Sequence, residues 1–160
     1  MPDARLDLRG VLVTCASCGR TNRITYPTLG KTARCGNCRT AVSVPGVPIE
    51  APDAHTFQAL VATSSLPVVV DFWAPWCNPC RMMAPEVDRV ARARAGQWLV
   101  VKVNTEALPD VGEHFRIRSI PMMALFLDGR EVAREAGARP ADAIQAFVAR
   151  HLGAGASRSA

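Results

Sequence analysis

Three Cys-x-x-Cys pairs constrain this 160-residue chain more than any other feature. Cys15/Cys18, Cys35/Cys38 and Cys77/Cys80 account for all six cysteines. Pairs of this spacing serve either metal binding or dithiol chemistry, and the compartment narrows the choice. No apolar run approaches the ~20 residues of a membrane helix. Met1 to Gly10 mixes charge with apolar residues and lacks the apolar stretch of a secretory signal. The expected location is the cytoplasm, without membrane association. Thiols stay reduced there, so the six cysteines are poor candidates for structural disulfides.

The first two pairs are separated by sixteen residues. Each x-x step lets one turn present two sulfurs to one ion, and four thiolates complete a tetrahedral Zn²⁺ set. Cys15, Cys18, Cys35 and Cys38 are therefore the predicted ligands of one zinc per chain. Four protein ligands leave no open position, so the zinc should be structural. Gly19 and Gly36 follow Cys18 and Cys35, where tight turns call for a permissive residue. Four free or redox-sensing thiols are the other reading. His55, His114 and His151 lie far away and are not needed as ligands.

Val11 to Val44 offers few core-forming residues besides its cysteines, and a segment this short is not expected to fold unaided. Zinc would supply the missing folding free energy. Residues 1–50 carry seven Lys/Arg against three Asp/Glu, while residues 51–160 carry twelve against eleven. Four thiolates on Zn²⁺ form a dianionic site, and Arg20, Arg34 and Arg39 beside them read as neutralising neighbours. The basic excess has no accompanying aromatic or recognition-helix pattern, so nucleic-acid binding is not expected.

The chain divides into a zinc-binding unit at 1–44, a Pro/Gly linker at 45–52, a main domain at 53–152 and a small, polar, disordered tail at 153–160. In the main domain a helix follows a cap at Asp53. Val68 to Trp73 and Leu99 to Val103 read as buried strands, with a helix from Cys77 to Ala95 between them. Pro85 is expected to kink that helix. A short helix spans Ala107 to Phe115. Met122 to Leu127 and Arg130 to Glu135 flank Asp128-Gly129, a hairpin signal. An amphipathic helix after Pro140 closes the domain. Helix, βαβ, helix, ββ, helix is an α/β pattern, with a sheet covered on both faces.

Cys77-Asn78-Pro79-Cys80 falls at a strand-to-helix junction, with Pro79 in the first turn where proline is tolerated. The helix dipole and unpaired N–H groups favour thiolate there. Cys77 is the attacking sulfur of this pattern, and Cys80, one turn on, its resolving partner. A third metal knuckle would have no fourth ligand left. Asp71 and Lys102 are charges inside apolar strands. They form either a simple buried pair or, beside a dithiol, a proton acceptor with its support; the second is favoured here. Ile120-Pro121 opens a strand, where a cis bond is one way to seat the proline and trans the ordinary one.

Val70-Asp71-Phe72-Trp73-Ala74-Pro75-Trp76-Cys77-x-Pro79-Cys80, Val101-Lys102-Val103-Asn104, Ile117-Arg118-Ser119-Ile120-Pro121 and Gly137 together resemble the thioredoxins. The cysteine-rich extension looks like that of the bacterial thioredoxin-2 type, which contains zinc. The resemblance implies a thioredoxin fold, a central mixed sheet with helices on both faces, behind a small zinc-ribbon-like domain. It implies protein-disulfide reduction by a monomer in which Asp71, supported by Lys102, is the buried proton acceptor and Pro121 a cis-proline facing the dithiol. Trp76, Asn78, Pro79, Ile120 and Gly137 would bound the docking surface. Partners would be disulfide-containing proteins and a flavin-dependent thioredoxin reductase using NADPH, with no organic cofactor bound to the chain itself. Two positions depart from the family pattern: Asn78 replaces glycine and Met122 replaces threonine, the latter expected beside the docking site. Competing functions are a zinc-ribbon binding module on a thioredoxin scaffold, and a sensor that releases zinc on oxidation.

Overall fold

Leu6, Val13 and Ile24 each lie between more exposed neighbours, and with the buried Val11 they turn one face of an N-terminal sheet inward. The computed structural model describes residues 4–158, and side chains as far as Leu152. Strands β1 (Ala4–Leu6), β2 (Gly10–Thr14) and β3 (Thr21–Thr25) form an antiparallel sheet. A 3-10 turn at Tyr26–Thr28 leads to a small hairpin of β4 (Ala33–Arg34) and β5 (Ala41–Val42). The first cysteine knuckle occupies the β2–β3 connection and the second the β4–β5 connection.

This unit has a core, contrary to the expectation from its sequence. Leu6, Val11, Val13, Ile24, Tyr26 and Leu29 are buried in one cluster with Phe57, Leu60 and Val70 of the main domain. They are too few to enclose a core alone, and the surface that covers them comes from distant sequence. Tyr26 joins the units directly. Its hydroxyl donates to the Asp7 carbonyl at 2.6 Å, and its own carbonyl accepts from the Ser65 N–H at 3.0 Å.

The expected linker also contains a strand. β6 (Ile49–Glu50) pairs in parallel with β8 (Leu99–Asn104), at the edge of a five-stranded mixed sheet. Pro48 and Pro52 bracket it, so too few residues remain for a periodic signal. A two-residue edge strand tolerates such neighbours. The sheet order is β10 (Arg130–Ala136), β9 (Met122–Leu127), β7 (Val68–Trp73), β8, β6. β6, β7 and β8 run parallel; β9 and β10 complete the sheet antiparallel. Asp128 and Gly129 take φ of 52° and 85° at the β9–β10 turn, the left-handed pair that the hairpin signal calls for.

Strand alternation sorts the core into two faces. Val68, Val70 and Phe72 pack with Phe57 and Leu60 of α1 (Ala54–Thr63) and Val111 of α3 (Pro109–His114). Val69, Val100 and Leu125 pack with Met83, Val87 and Val90 of α2 (Asn78–Ala93) and Ile144, Phe147 and Val148 of α4 (Ala141–Arg158). Asp53 caps α1 as its sequence suggests, its carboxylate accepting the Thr56 N–H at 2.7 Å. α2 runs unbroken through Pro85. α4 continues through residues 153–158, where a disordered tail is expected. Extending a helix already held by packing costs less than starting one. Ser159 and Ala160 lie outside the described residues.

Candidate active site and metal centre

β7 delivers its chain from the middle of the sheet to the start of α2. After Trp73 the backbone turns through Ala74, Pro75 and Trp76, and Cys77 donates its N–H to the Ala74 carbonyl at 3.1 Å. Cys77 is the N-cap of α2, its Sγ accepting the Cys80 N–H at 3.2 Å. Pro79 sits in the first turn, as its sequence position suggests. Cys77 and Cys80 are joined as a disulfide, with Cα atoms 5.3 Å apart. They are 4% and 3% exposed, packed against Ala74, Trp73 and Ile120.

Several of the expected docking residues are open to solvent. Trp76 is 67% exposed, and Asn78, Pro79 and Gly137 are also exposed. The Ile120–Pro121 peptide is cis, and the Pro121 carbonyl accepts the Gly137 N–H at 3.0 Å. That bond ties the start of β9 to the end of β10. Met122, which directly follows Pro121, is buried in the core, opposite Phe72 in the β7–β9 register. A strand residue directly after the turn points to one face or the other, and here the register turns it inward. Asn78 Oδ1 accepts from the Arg81 guanidinium, which also reaches the Pro75 carbonyl at 3.4 Å.

Asp71 is 1% exposed, and neither carboxyl oxygen has a hydrogen-bond partner among the described residues. Burial pushes its pKa up to about 7, against the pull of Lys102 and with a smaller upward push from Glu50. Lys102 is its register partner on β8. The Lys102 ammonium lies 4.6 Å from the Trp73 ring centroid, and among the described residues it closes no ion pair with Asp71. The simple buried pair is not formed.

Glu50 is a member of this group that sequence reasoning missed. It lies opposite Lys102 in the β6–β8 register, and its Oε1 accepts the Trp73 indole N–H at 2.8 Å. Desolvation raises its pKa, although Trp73 and Lys102 favour the charged form. It was hidden because its strand reads as linker. An acidic residue directly after Ile49, ahead of a capped helix, was the available signal.

The four N-terminal cysteines converge. All four sulfurs lie within 4.8 Å of one another, with Cys15–Cys38 and Cys18–Cys35 separations of 3.6 Å. A tetrahedral site with Zn–S bonds of ~2.3 Å has sulfur–sulfur edges of roughly 3.8 Å, so the donor set fits such an ion. The two knuckles share one backbone pattern. Gly19 N–H donates to Cys15 O and Arg39 N–H to Cys35 O, at 2.9 and 3.0 Å. The residue after the second cysteine is left-handed in each, Gly19 at φ 79° and Arg39 at φ 67°. Gly36 is not the permissive turn residue expected from sequence; its N–H instead donates to Asn22 Oδ1 and links the knuckles. Cys35 is lowered to about 6, first by the Cys38 backbone N–H and then by that of Asn37 and the Asn22 side chain.

The family model described as Thioredoxin matches residues 48–150. The chain belongs to the thioredoxin family. It is 48% identical over 97 residues to Thioredoxin 1 of Synechococcus elongatus, covering 61% of this chain and 91% of that protein. It is 37% identical over 142 residues to Thioredoxin C-3 of Corynebacterium nephridii, covering 89% of this chain and 96% of that protein. That second match extends well beyond the thioredoxin domain. Among solved structures, a mutant thioredoxin of Halobacterium salinarum superposes with a TM-score of 0.60 at 24% identity, covering 66% of this chain and 91% of that one; it bears on fold alone. The thioredoxin of Malassezia sympodialis gives 0.59 at 27% identity, over 66% and 94%.

The fold is thus the thioredoxin fold behind a small four-cysteine sheet domain, resembling the thioredoxin-2 type. The protein is a thioredoxin-type thiol–disulfide oxidoreductase with Cys77–Cys80 as its active-site pair. The four clustered cysteines could bind a metal ion. Among the described residues no helix is long and apolar enough to cross a membrane.

Proposed function

We propose that this thioredoxin reduces protein disulfides in the cytoplasm, with Cys77 attacking and Cys80 resolving. The observation that carries the assignment is Cys77 at the α2 N-cap, where its sulfur accepts the Cys80 N–H. In the reduced protein that N–H and the helix dipole stabilise negative charge on Cys77. The Cys77 thiolate attacks one sulfur of the target disulfide, forming a mixed disulfide and expelling the other sulfur as a thiolate, which takes a proton. Cys80 gives its proton to the Asp71 carboxylate and attacks Cys77 Sγ. The second target sulfur leaves and is protonated. The target gains two electrons and the Cys77–Cys80 disulfide carries the oxidation. Two electrons from NADPH, passed through a thioredoxin reductase, restore the dithiol.

Trp76, Asn78, Pro79, Ile120 and Gly137 present the surface on which the extended target chain docks. Pro121 shapes it, and Lys102 supports the charged form of Asp71. The unit at 1–44 holds one zinc through Cys15, Cys18, Cys35 and Cys38, and residues 53–152 form the thioredoxin domain. When bound, the ion crosslinks the two knuckles; the sulfur separations support this set, and four thiolates leave no position for substrate.

NADPH-coupled insulin reduction with a thioredoxin reductase tests the assignment. Cys77→Ser should abolish turnover, and Cys80→Ser should accumulate a mixed disulfide with the target through Cys77. Turnover by Cys77→Ser, or trapping through Cys80 in Cys77→Ser and not in the reverse variant, would overturn it.

A further inference from the structure

Glu50, Lys102 and Asp71 form a row across three strands. Glu50 on β6 and Asp71 on β7 are both register partners of Lys102 on β8, one on each side. Ile49, Val70, Phe72, Val101 and Val103 belong to the α1-side core. Alternation therefore puts Glu50, Asp71 and Lys102 together on the opposite side, the face that α2 covers. Trp73 lies on that same face two residues beyond Asp71. Its indole N–H is held by Glu50 Oε1 at 2.8 Å while its ring carries the Lys102 ammonium at 4.6 Å. Glu50 therefore acts on Lys102 twice, by charge and by fixing the ring beneath it. The result is a buried Asp71 carboxyl with no hydrogen-bond partner among the described residues, beside a lysine engaged elsewhere.

We propose that Glu50 is a positioning residue for proton exchange at the dithiol, competing with Asp71 for the Lys102 ammonium. The inference rests on the role of Asp71 given above and adds a residue that none of the motif positions includes. The charged groups that bear on Asp71 are Lys102 from β8 and Glu50 from β6. Its β9 partner, Met123, is uncharged. Glu50 adds to the upward shift that burial imposes on Asp71, and Lys102 opposes it. With the Glu50 charge removed, Asp71 becomes the only carboxylate of the row left to Lys102, and it ionises at lower pH.

Glu50→Gln removes the charge and keeps an acceptor for Trp73. The Asp71 carboxyl carbon, followed by NMR in the oxidised protein, should titrate about half a unit to one unit lower in this variant. Resolution of a mixed disulfide by Cys80, followed by quench-flow, should then be about two- to fivefold faster than wild type at pH 6, and equal at pH 8.5. In an Asp71→Asn background, adding Glu50→Gln should change nothing. An unmoved Asp71 titration, or an equal effect of Glu50→Gln with and without Asp71, overturns the proposal. If the carboxyl titration moves while the Cys80 rate does not, and Asp71→Asn also leaves that rate unaltered, the failure lies in the role given to Asp71. The coupling between the two carboxyls then stands, but Glu50 has no part in proton exchange.

Discussion

Asp71 and Lys102 face one another in the parallel β7–β8 register, yet the ammonium lies over Trp73 and neither Asp71 oxygen accepts a hydrogen bond from the described residues. This buried acid has a definite effect on stability. Unfolded, it ionises near ~3.9; folded, near about 7. Between those values the folded state holds a proton the unfolded state has lost, so stability falls as pH rises through that window. Three units at ~1.4 kcal/mol each make the cost on the order of 4 kcal/mol above pH 7. Asp71→Asn should therefore stabilise the oxidised protein by up to about 4 kcal/mol at pH 8 and by little at pH 4. Urea melts at both values check this; an equal gain at both would contradict it.

Zinc removal should loosen the knuckles and spare the sheet beneath them. Val11, Val13 and Ile24 are covered by the main domain, whereas the β4–β5 hairpin has only two residues per strand. After chelation, the Gly19 and Arg39 amides should exchange with solvent, while those of β2 and β3 stay protected. Hydrogen exchange read by NMR distinguishes this from collapse of the whole unit, in which both sets exchange together.

Tyr26→Phe should cost about 1–2 kcal/mol, because it leaves the Asp7 carbonyl without the hydroxyl that now donates to it at 2.6 Å. The ring and its packing remain. A denaturant midpoint unchanged from wild type would show that water replaces the hydroxyl at that carbonyl.

Asn78→Gly should leave stability within about 1 kcal/mol, since the Asn78–Arg81 contact is exposed. It should, however, free the Arg81 guanidinium from its contact within the first turn of α2, leaving it only the longer reach to the Pro75 carbonyl. Loss of the Arg81 side-chain NMR signal expected for a fixed guanidinium, with an unchanged melting temperature, is the outcome that fits. A drop of several degrees would mean that the pair organises the active-site turn.

The order of residues was enough to separate four metal-type cysteines from one redox pair, and to place Cys77 at a strand-to-helix junction. These features depend on short-range spacing: x-x steps, a proline in a first turn, and Asp128-Gly129 between two apolar runs. Asp71 stood out because a charge inside Val68-Val69-Val70 is conspicuous. What the residues touch required the folded chain. The N-terminal core becomes one only when the main domain covers Leu6, Val11 and Tyr26. β6 exists only because β8 offers it a pairing edge, and with it Glu50 reaches Trp73. The inward turn of Met122 is likewise a matter of register. Local spacing sets which chemistry each residue can carry. Tertiary packing decides which charges meet and which lose their water, because both depend on atoms far away along the chain.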